Sequence, residues 1–564
     1  MKNIPKSVLI LLLLSFIIRV TLGLISGGAD DDAGDYVTYA IQTAHDNDFT
    51  NFLDLSLGRQ VIQLWLFCMV CFMKLFGATN TVATLLTSII GTLNILLFYK
   101  LVNLFYTQKQ SLLISILYSV IPIIVYTSYN PCYETIFIFI FLFSVYYYFT
   151  FINSNQNKYL IISGFTGSLL AFIHAYGYPV ILVILLSFPL IYSDKDRIKK
   201  WILFSFCLLL LPLIQMVAWK IIYGSFYPYL ELLTHWTPEN WTLSVGEIIR
   251  FVFYCLFSLS FILIFGIISF VIDLKGVFNK LAATALLLII ISLFFLFSFK
   301  NQNDLFKYFF LIFSVLFLVL KRPQINENGL VYLFGVLGLI FFTLLIFLFP
   351  SRGNPRMFAF LITVLTPVTW YYLEKNIKNE RTVVSIFISV IGVLLISGLI
   401  MNFANLKEKE IGFLKGKYSS VFQYNIPISL QHKDDKKIVR WLKENGVKPS
   451  DHIIASIKSN RYVPANLDMP QNQFLNAFFF TYSHKGGFAK QSLESYLNWI
   501  NENNPRFIIW DIDFQDQEYA QIINEETGER KIAFNFTDFK KGISGKYAFQ
   551  DTIIKRIVVF EPIR

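Results

Sequence analysis

The sequence predicts an all-α polytopic membrane bundle of about thirteen transmembrane helices, followed by a small C-terminal α/β extracytoplasmic domain. Three observations predict it. The chain of 564 residues is 55% hydrophobic and 17% aromatic, with only 15% charged residues. Soluble domains carry about 25% charged residues, so a cytosolic enzyme, a disordered chain and a disulfide scaffold are excluded. Apolar windows, each of about the 17–25 residues that cross a bilayer, recur as far as residue 404, after which the composition turns polar. Lysine and arginine gather in alternate loops, as they do on the cytoplasmic side of membrane proteins.

Taken in order, the expected spans are 6–27, 82–105, 111–129, 134–153, 159–174, 178–192, 201–223, 249–272, 281–299, 307–321, 330–349, 356–373 and 382–404. The first follows Lys2 and Lys6 without a small-residue cleavage site, so it reads as an uncleaved helix, not a signal peptide. The run 60–77 is apolar enough to cross, yet the charges argue that it lies flat. With it flat, Lys100, Lys109, Lys158, the Lys195–Lys200 cluster, Lys275, Lys280, Lys321, Arg322 and the Lys375–Arg381 cluster all fall on the side of Lys2. The loops 130–133, 175–177 and 224–248 on the opposite side carry no Lys or Arg. The N-terminus is therefore expected in the cytoplasm, and the C-terminal domain outside. The net charge of +11 reflects these basic loops and does not point to nucleic acid.

The domain division follows: 1–404 as the membrane domain, with an outward loop 28–81, and 405–564 as the α/β domain. In the latter, patterning predicts helices near 434–445 and 490–503 and strands near 452–457, 506–512 and 553–561. The five cysteines mostly lie in apolar segments, and Cys68-x-x-Cys71 lacks the second pair that a zinc site needs.

The outward loop opens Gly27-Gly28-Ala29-Asp30-Asp31-Asp32-Ala33-Gly34-Asp35-Tyr36. Carboxylates at this point either cap the helix that follows, complementing its N-terminal dipole, or hold one acid at the membrane–water boundary as a general base. Other ionisable residues share that face: Arg59, Glu134 at the start of a span, His174 at the end of one, and Arg352 and Arg356 around Gly353-Asn354-Pro355. Charges at span ends are costly unless paired or used. A base for an acceptor together with cations for a departing phosphate is the mixture that transfer from a lipid-linked phosphate requires.

These residues, in this order and on one side, resemble the type-C glycosyltransferases, which draw on polyprenyl-phosphate sugars. The nearest groups are the protein O-mannosyltransferases and bacterial aminoarabinose transferase. The resemblance rests on Arg19 in the first span, the pair Asp32…Tyr36, Leu57-Gly58-Arg59-Gln60-Val61-Ile62-Gln63-Leu64-Trp65 running on to Gly77, Tyr129-Asn130-Pro131-Cys132-Tyr133-Glu134-Thr135, Ala171–Gly177, and Pro350–Pro367 with Arg356. This chain departs from the family pattern at Gly58, where the closest relatives carry an acid, at Gln60, where they carry Pro, and at His174, where many members carry Lys or Arg. An unperturbed imidazole is mostly neutral near pH 7.

The resemblance implies an integral membrane glycosyltransferase that moves a hexosyl or pentosyl group on the outer face, commonly with inversion at C1. Asp32 matches the essential acid, with Asp31 or Asp35 taking its place if the register slips; Asp35 and Glu134 complete the catalytic set and Tyr36 positions substrate. Arg59, His174, Arg352 and Arg356 are the candidates for the donor phosphate. No cofactor is required, and Asp30 and Asp32 would be metal ligands only if a divalent ion is used. The expected partners are the polyprenyl-phosphate donor, the membrane, and a lipid, polysaccharide or protein acceptor. Arg19 reads as structural, paired with carboxylate or carbonyl groups of a neighbouring helix. The alternatives are a secondary transporter or lipid flippase, and a relative that binds lipid without catalysis. Transporters show related halves and mid-bilayer charges; here no repeat is visible and the charges gather at one face.

Overall fold

The computed structural model describes residues 4–27, 32–47, 49, 63–174, 176–192, 194–224, 264–272, 329–348, 356, 358–403, 433–456, 462–470, 472–476, 493–511, 521–523, 530–532, 536–554 and 557–563. The membrane domain begins with α1 (Lys6–Ser26), α2 (Asp32–Asp46), α3 (Gln63–Phe76), α4 (Asn80–Val102), α5 (Gln108–Val120) and α6 (Pro122–Thr127). It continues with α7 (Tyr133–Ser154), α8 (Asn157–Ser168), α9 (Gly177–Ile191) and α10 (Arg197–Tyr223). After a helical stretch over 264–272 come α11 (Gly329–Leu348), α12 (Phe358–Ile377) and α13 (Glu380–Phe403). Among the described residues α1, α4, α7 and α10 are long and apolar enough to cross a membrane. The expected spans 281–299 and 307–321, and the first part of 249–272, lie outside the described residues.

Two expected spans are not single helices. The segment 111–129 breaks between α5 and α6, because Pro122 has no N–H to donate and holds Ile121 extended at ψ 125°. The segment 159–174 ends as α8 at Ser168 and tightens into a 3₁₀ turn over Leu169–Phe172. The run 60–77 contributes α3, which ends on exposed Leu75 and Phe76.

In lipid there is no hydrophobic drive between helices, so close approach and interhelical hydrogen bonds must hold them together. Ser144 Oγ on α7 donates to Ser163 O on α8 at 2.9 Å, and Ser163 Oγ returns the bond to Ser144 O at 2.8 Å. Arg19, fully buried in α1, is held by two carbonyls: Nη1 donates to Ser15 O at 3.1 Å and Nη2 to Ser119 O of α5 at 3.2 Å. That is the structural role expected of it. At Gly91 of α4 the backbone of the segment after α6 comes so close that an added Cβ would lie 3.0 Å from Ser128 Cα. Gly91→Ala is therefore expected to destabilise the protein by about 1–3 kcal/mol through overpacking, read as a lowered thermal midpoint of the detergent-solubilised chain.

The C-terminal domain comprises α14 (Lys433–Glu444), β1 (Ile453–Ser456), α15 (Tyr462–Asn466), β2 (Phe474–Asn476), α16 (Leu493–Asn503), β3 (Phe507–Asp511), β4 (Gln521–Ile523), β5 (Arg530–Ile532), α17 (Phe536–Ile543), β6 (Tyr547–Ile554) and β7 (Ile557–Pro562). Five strands form one sheet in the order β2-β1-β3-β7-β6, with β4 and β5 as a separate pair. β1 pairs in parallel with β2 and β3, whereas β7 is antiparallel to β3 and β6. Alternate residues face opposite sides, as strand geometry dictates. Ile453 and Ala455 pack with Ile438, Leu442 and Val463 of α14 and α15. Ile454, Ile508 and Trp510 pack with Ile500 and Phe539 of α16 and α17.

The single strand expected near 553–561 is in fact two, β6 and β7, paired Ile554↔Ile557. No Gly or Asn-Gly stands between the two strands in the sequence, so the usual hairpin signal is missing. β7, paired on both edges, is buried from Ile557 to Phe560 and reads as one apolar run. The short elements α15, β2 and α17 also escape the sequence patterning. The domain is seated on the bundle through α15, which packs on α2, and Ala465 is buried within the core of the membrane domain.

Candidate active site

The end of the bundle beneath the C-terminal domain holds the end of α1 and the starts of α2, α4, α7 and α12. The opposite end carries the polar contacts of the start of α5, including Lys109 Nζ against Glu380 Oε1 at 3.0 Å. Between α6 and α7 the segment Tyr129–Cys132 is entirely buried, and its polar groups are held from three sides. Ser26 Oγ of α1 donates to Tyr129 OH at 3.3 Å, Trp65 Nε1 of α3 to Pro131 O at 3.0 Å, and Asn130 Nδ2 to Tyr126 OH at 2.8 Å. This pinning fixes the start of α7.

Glu134 sits in the first turn of α7, where the helix dipole favours its carboxylate. Arg356, just before α12, places Nε 3.5 Å from Glu134 Oε1, with side-chain exposures of 0% and 4%. Its Nη1 also donates to Cys132 Sγ at 2.7 Å. A buried charge pair of this kind is costly to desolvate and expensive to break, because removing one partner strands the other. The guanidinium is thereby held in a fixed plane at the start of α12, and a planar fork of N–H donors suits phosphate oxygens.

Beside this pair runs an aromatic stack. The Tyr133 ring lies on His174 at 4.5 Å and 14°, and His174 lies on Tyr176 at 4.3 Å and 17°. The Tyr176 backbone N–H donates to His174 Nδ1 at 3.2 Å. Nδ1 therefore carries a lone pair, and the imidazole is a neutral stacked ring with its donor on Nε2, not the cation that the family pattern places here. Tyr36 of α2 approaches the same stack, 6.3 Å from the Tyr133 ring at 56°.

The structure thus brings Tyr36, Glu134, His174 and Arg356 to one end of the bundle. Asp35 is partly buried one residue from Tyr36 on α2. Asp32 opens α2, but its side chain lies outside the described residues, as do Asp30, Asp31, Arg59 and Arg352. Cys132 as a partner of Arg356 has no signal in the sequence: the two are 224 positions apart, and a cysteine in apolar surroundings reads as a small hydrophobe. Among the described residues, no group of three or more His, Cys, Asp or Glu is arranged to hold a metal.

Comparison with known proteins adds three findings. Residues 64–219 match the family model described as dolichyl-phosphate-mannose-protein mannosyltransferase. That stretch includes the Tyr129–Thr135 and Ala171–Gly177 segments and ends well before Arg356. No curated protein matches the chain. Among solved structures, ArnT from Cupriavidus metallidurans in its apo state is similar at TM-score 0.50 and 11% identity, over 99% of this chain and 98% of that one. The same protein bound to undecaprenyl phosphate gives TM-score 0.48 and 11% identity, over 99% and 98%. The Archaeoglobus fulgidus oligosaccharyltransferase in complex with Zn and sulfate gives 0.46 and 13%, over 96% and 71%. At 11% identity the likeness to the apo structure is one of fold.

Proposed function

We propose that this chain, which resembles the type-C glycosyltransferases in family match and in fold, transfers a sugar from a polyprenyl-phosphate donor to an acceptor on the outer face of the membrane. The observation that carries the reading is the buried guanidinium of Arg356, fixed by Glu134 and Cys132 at the end of the bundle where α2 begins. Glu134 offsets the cost of keeping this cation dry, and the planar fork of N–H donors on the guanidinium suits the oxygens of a lipid-linked phosphate.

In this reading Asp32 takes the proton of the acceptor nucleophile, which attacks C1 of the sugar as the C1–O bond to phosphate breaks. The electron pair leaves with the polyprenyl phosphate, whose charge Arg356 meets, with Arg59 and Arg352 as further cations. His174 contributes a neutral Nε2–H donor and a stacking face, and Tyr36 lines the acceptor side. Glu134 serves chiefly to hold Arg356. The protein's task is orientation plus electrostatics, and the reaction so written needs no redox cofactor. Arg356 donates in the plane of its fork, which favours bidentate contact with phosphate.

Mass spectrometry of lipids that co-purify with the chain tests the reading. A polyprenyl phosphate or its glycosyl ester is the expected finding. Failure of purified protein in nanodiscs to bind added undecaprenyl phosphate would overturn it.

A further inference from the structure

We infer that the C-terminal domain is a positioning element of this site: Tyr462, Asp468 and Asn80 tie the end of α1 and the start of α4 to one helix of that domain, and so set where α2 begins. The inference rests on the functional reading above and extends it to residues far from Arg356.

Two helix ends and the helix α2 meet α15 and the turn that follows it. The last carbonyls of α1 are orphans by geometry, since a helix leaves its final C=O groups without partners. Here Tyr462 OH donates to Ser26 O at 3.2 Å, and Asn80 Nδ2 donates to Gly27 O at 2.7 Å. The first N–H groups of α4 are orphans in the same way. Thr79 Oγ1 accepts from Val82 N at 3.3 Å, and Asp468 Oδ1 accepts from Asn80 N at 2.8 Å. A carboxylate from the C-terminal domain therefore caps a helix of the membrane domain, where the dipole favours it.

The turn carrying Asp468 is itself closed by Asp468 N–H to Ala465 O at 3.2 Å and Met469 N–H to Pro464 O at 3.0 Å. Gly27, at φ 89°, has no room for a side chain: an added Cβ would lie 2.7 Å from Asn466 Oδ1 and 3.3 Å from Tyr462 Cζ.

The third contact is made by α2, which packs on α15 while Ala33, Val37, Ala40 and Ile41 face the bundle core. The chain leaves α1 at Gly27 and re-enters helix at Asp32. The end of α1 and the helix α2 that follows it therefore rest on the same short helix. Holding a general base in place matters because a misplacement of about 1 Å costs roughly 100-fold in rate. Arg356, Glu134 and Cys132 lie at the starts of α12 and α7 and make none of the hydrogen bonds just described. Loosening the clamp should thus slow turnover and spare the phosphate site.

The experiment compares Asp468→Ala, Asp468→Asn and Tyr462→Phe in full-length protein in nanodiscs. It measures amide exchange in α2 and at the start of α4, affinity for undecaprenyl phosphate, and kcat and KM with the co-purified lipid donor. Asp468→Ala and Tyr462→Phe are expected to speed exchange in α2 about tenfold and to lower kcat by about 10–100-fold, with undecaprenyl phosphate affinity unchanged. Asp468→Asn keeps an oxygen acceptor for Asn80 N–H and should lie near wild type in every readout. Unchanged exchange, unchanged kcat, or a loss of lipid affinity in step with kcat overturns the positioning role. Failure of the wild-type chain to bind undecaprenyl phosphate overturns the functional reading instead, and the two failures are distinct because the exchange readout needs no lipid.

Discussion

Arg356→Gln is expected to lower affinity for undecaprenyl phosphate by about 100-fold, the size of a lost charge-assisted bidentate contact. It should also destabilise the chain, because Glu134 would remain buried beside a neutral amide. Breaking a buried pair from one side costs about 3–5 kcal/mol, whereas removing both charges is often nearly neutral. The double variant Arg356→Gln with Glu134→Gln separates the two effects. Its thermal midpoint should return towards wild type while its lipid affinity stays low. If the double variant binds undecaprenyl phosphate as well as wild type, Arg356 is a structural charge and not a phosphate ligand. Arg356→Lys keeps the charge and loses the planar fork, so its affinity should fall between the two. These measurements need no knowledge of the sugar or the acceptor.

Asp32→Asn is expected to cut sugar transfer by about 10²–10⁴-fold, the range supplied by a positioned general base, with undecaprenyl phosphate affinity within about twofold of wild type. The substitution is nearly isosteric and sits at the opening of α2, where asparagine caps a helix as well as aspartate does, so the fold should tolerate it. Asp35→Asn, one turn along the same helix, is the register control. A loss confined to Asp35→Asn would move the base to that position. Full activity in both variants would remove Asp32 and Asp35 from the chemistry and leave Asp31 as the remaining candidate in the acidic cluster.

Much of the architecture is legible because the relevant physics is local. Apolar segments over 82–105, 134–153, 201–223, 330–349, 356–373 and 382–404 are recognisable in the sequence, and the helices α4, α7, α10, α11, α12 and α13 follow them to within a few residues at most ends. The breaks at Ile121–Pro122 and after Ser168 are harder, since an apolar run does not reveal where its helix is interrupted. In the C-terminal domain, α14, β1, α16 and β3 stand where patterning puts them. The β6–β7 hairpin does not, because β7 gains its burial from partners on both edges that no alternation within its own sequence reports.

The candidate site divides along the same line. Charge order alone raises the expectation that acids and arginines share one face, and of these the structure brings Glu134 and Arg356 together. Composition, span length and loop charge also settle that the chain is a membrane bundle with a polar C-terminal portion, since each is a sum over neighbouring residues. The partner of each charge is different. Arg356 meets Glu134 and Cys132, His174 becomes a neutral ring between two tyrosines, and Asp468 caps a helix 388 positions away. Such pairings depend on how helix ends converge in space, and only the folded chain fixes that convergence.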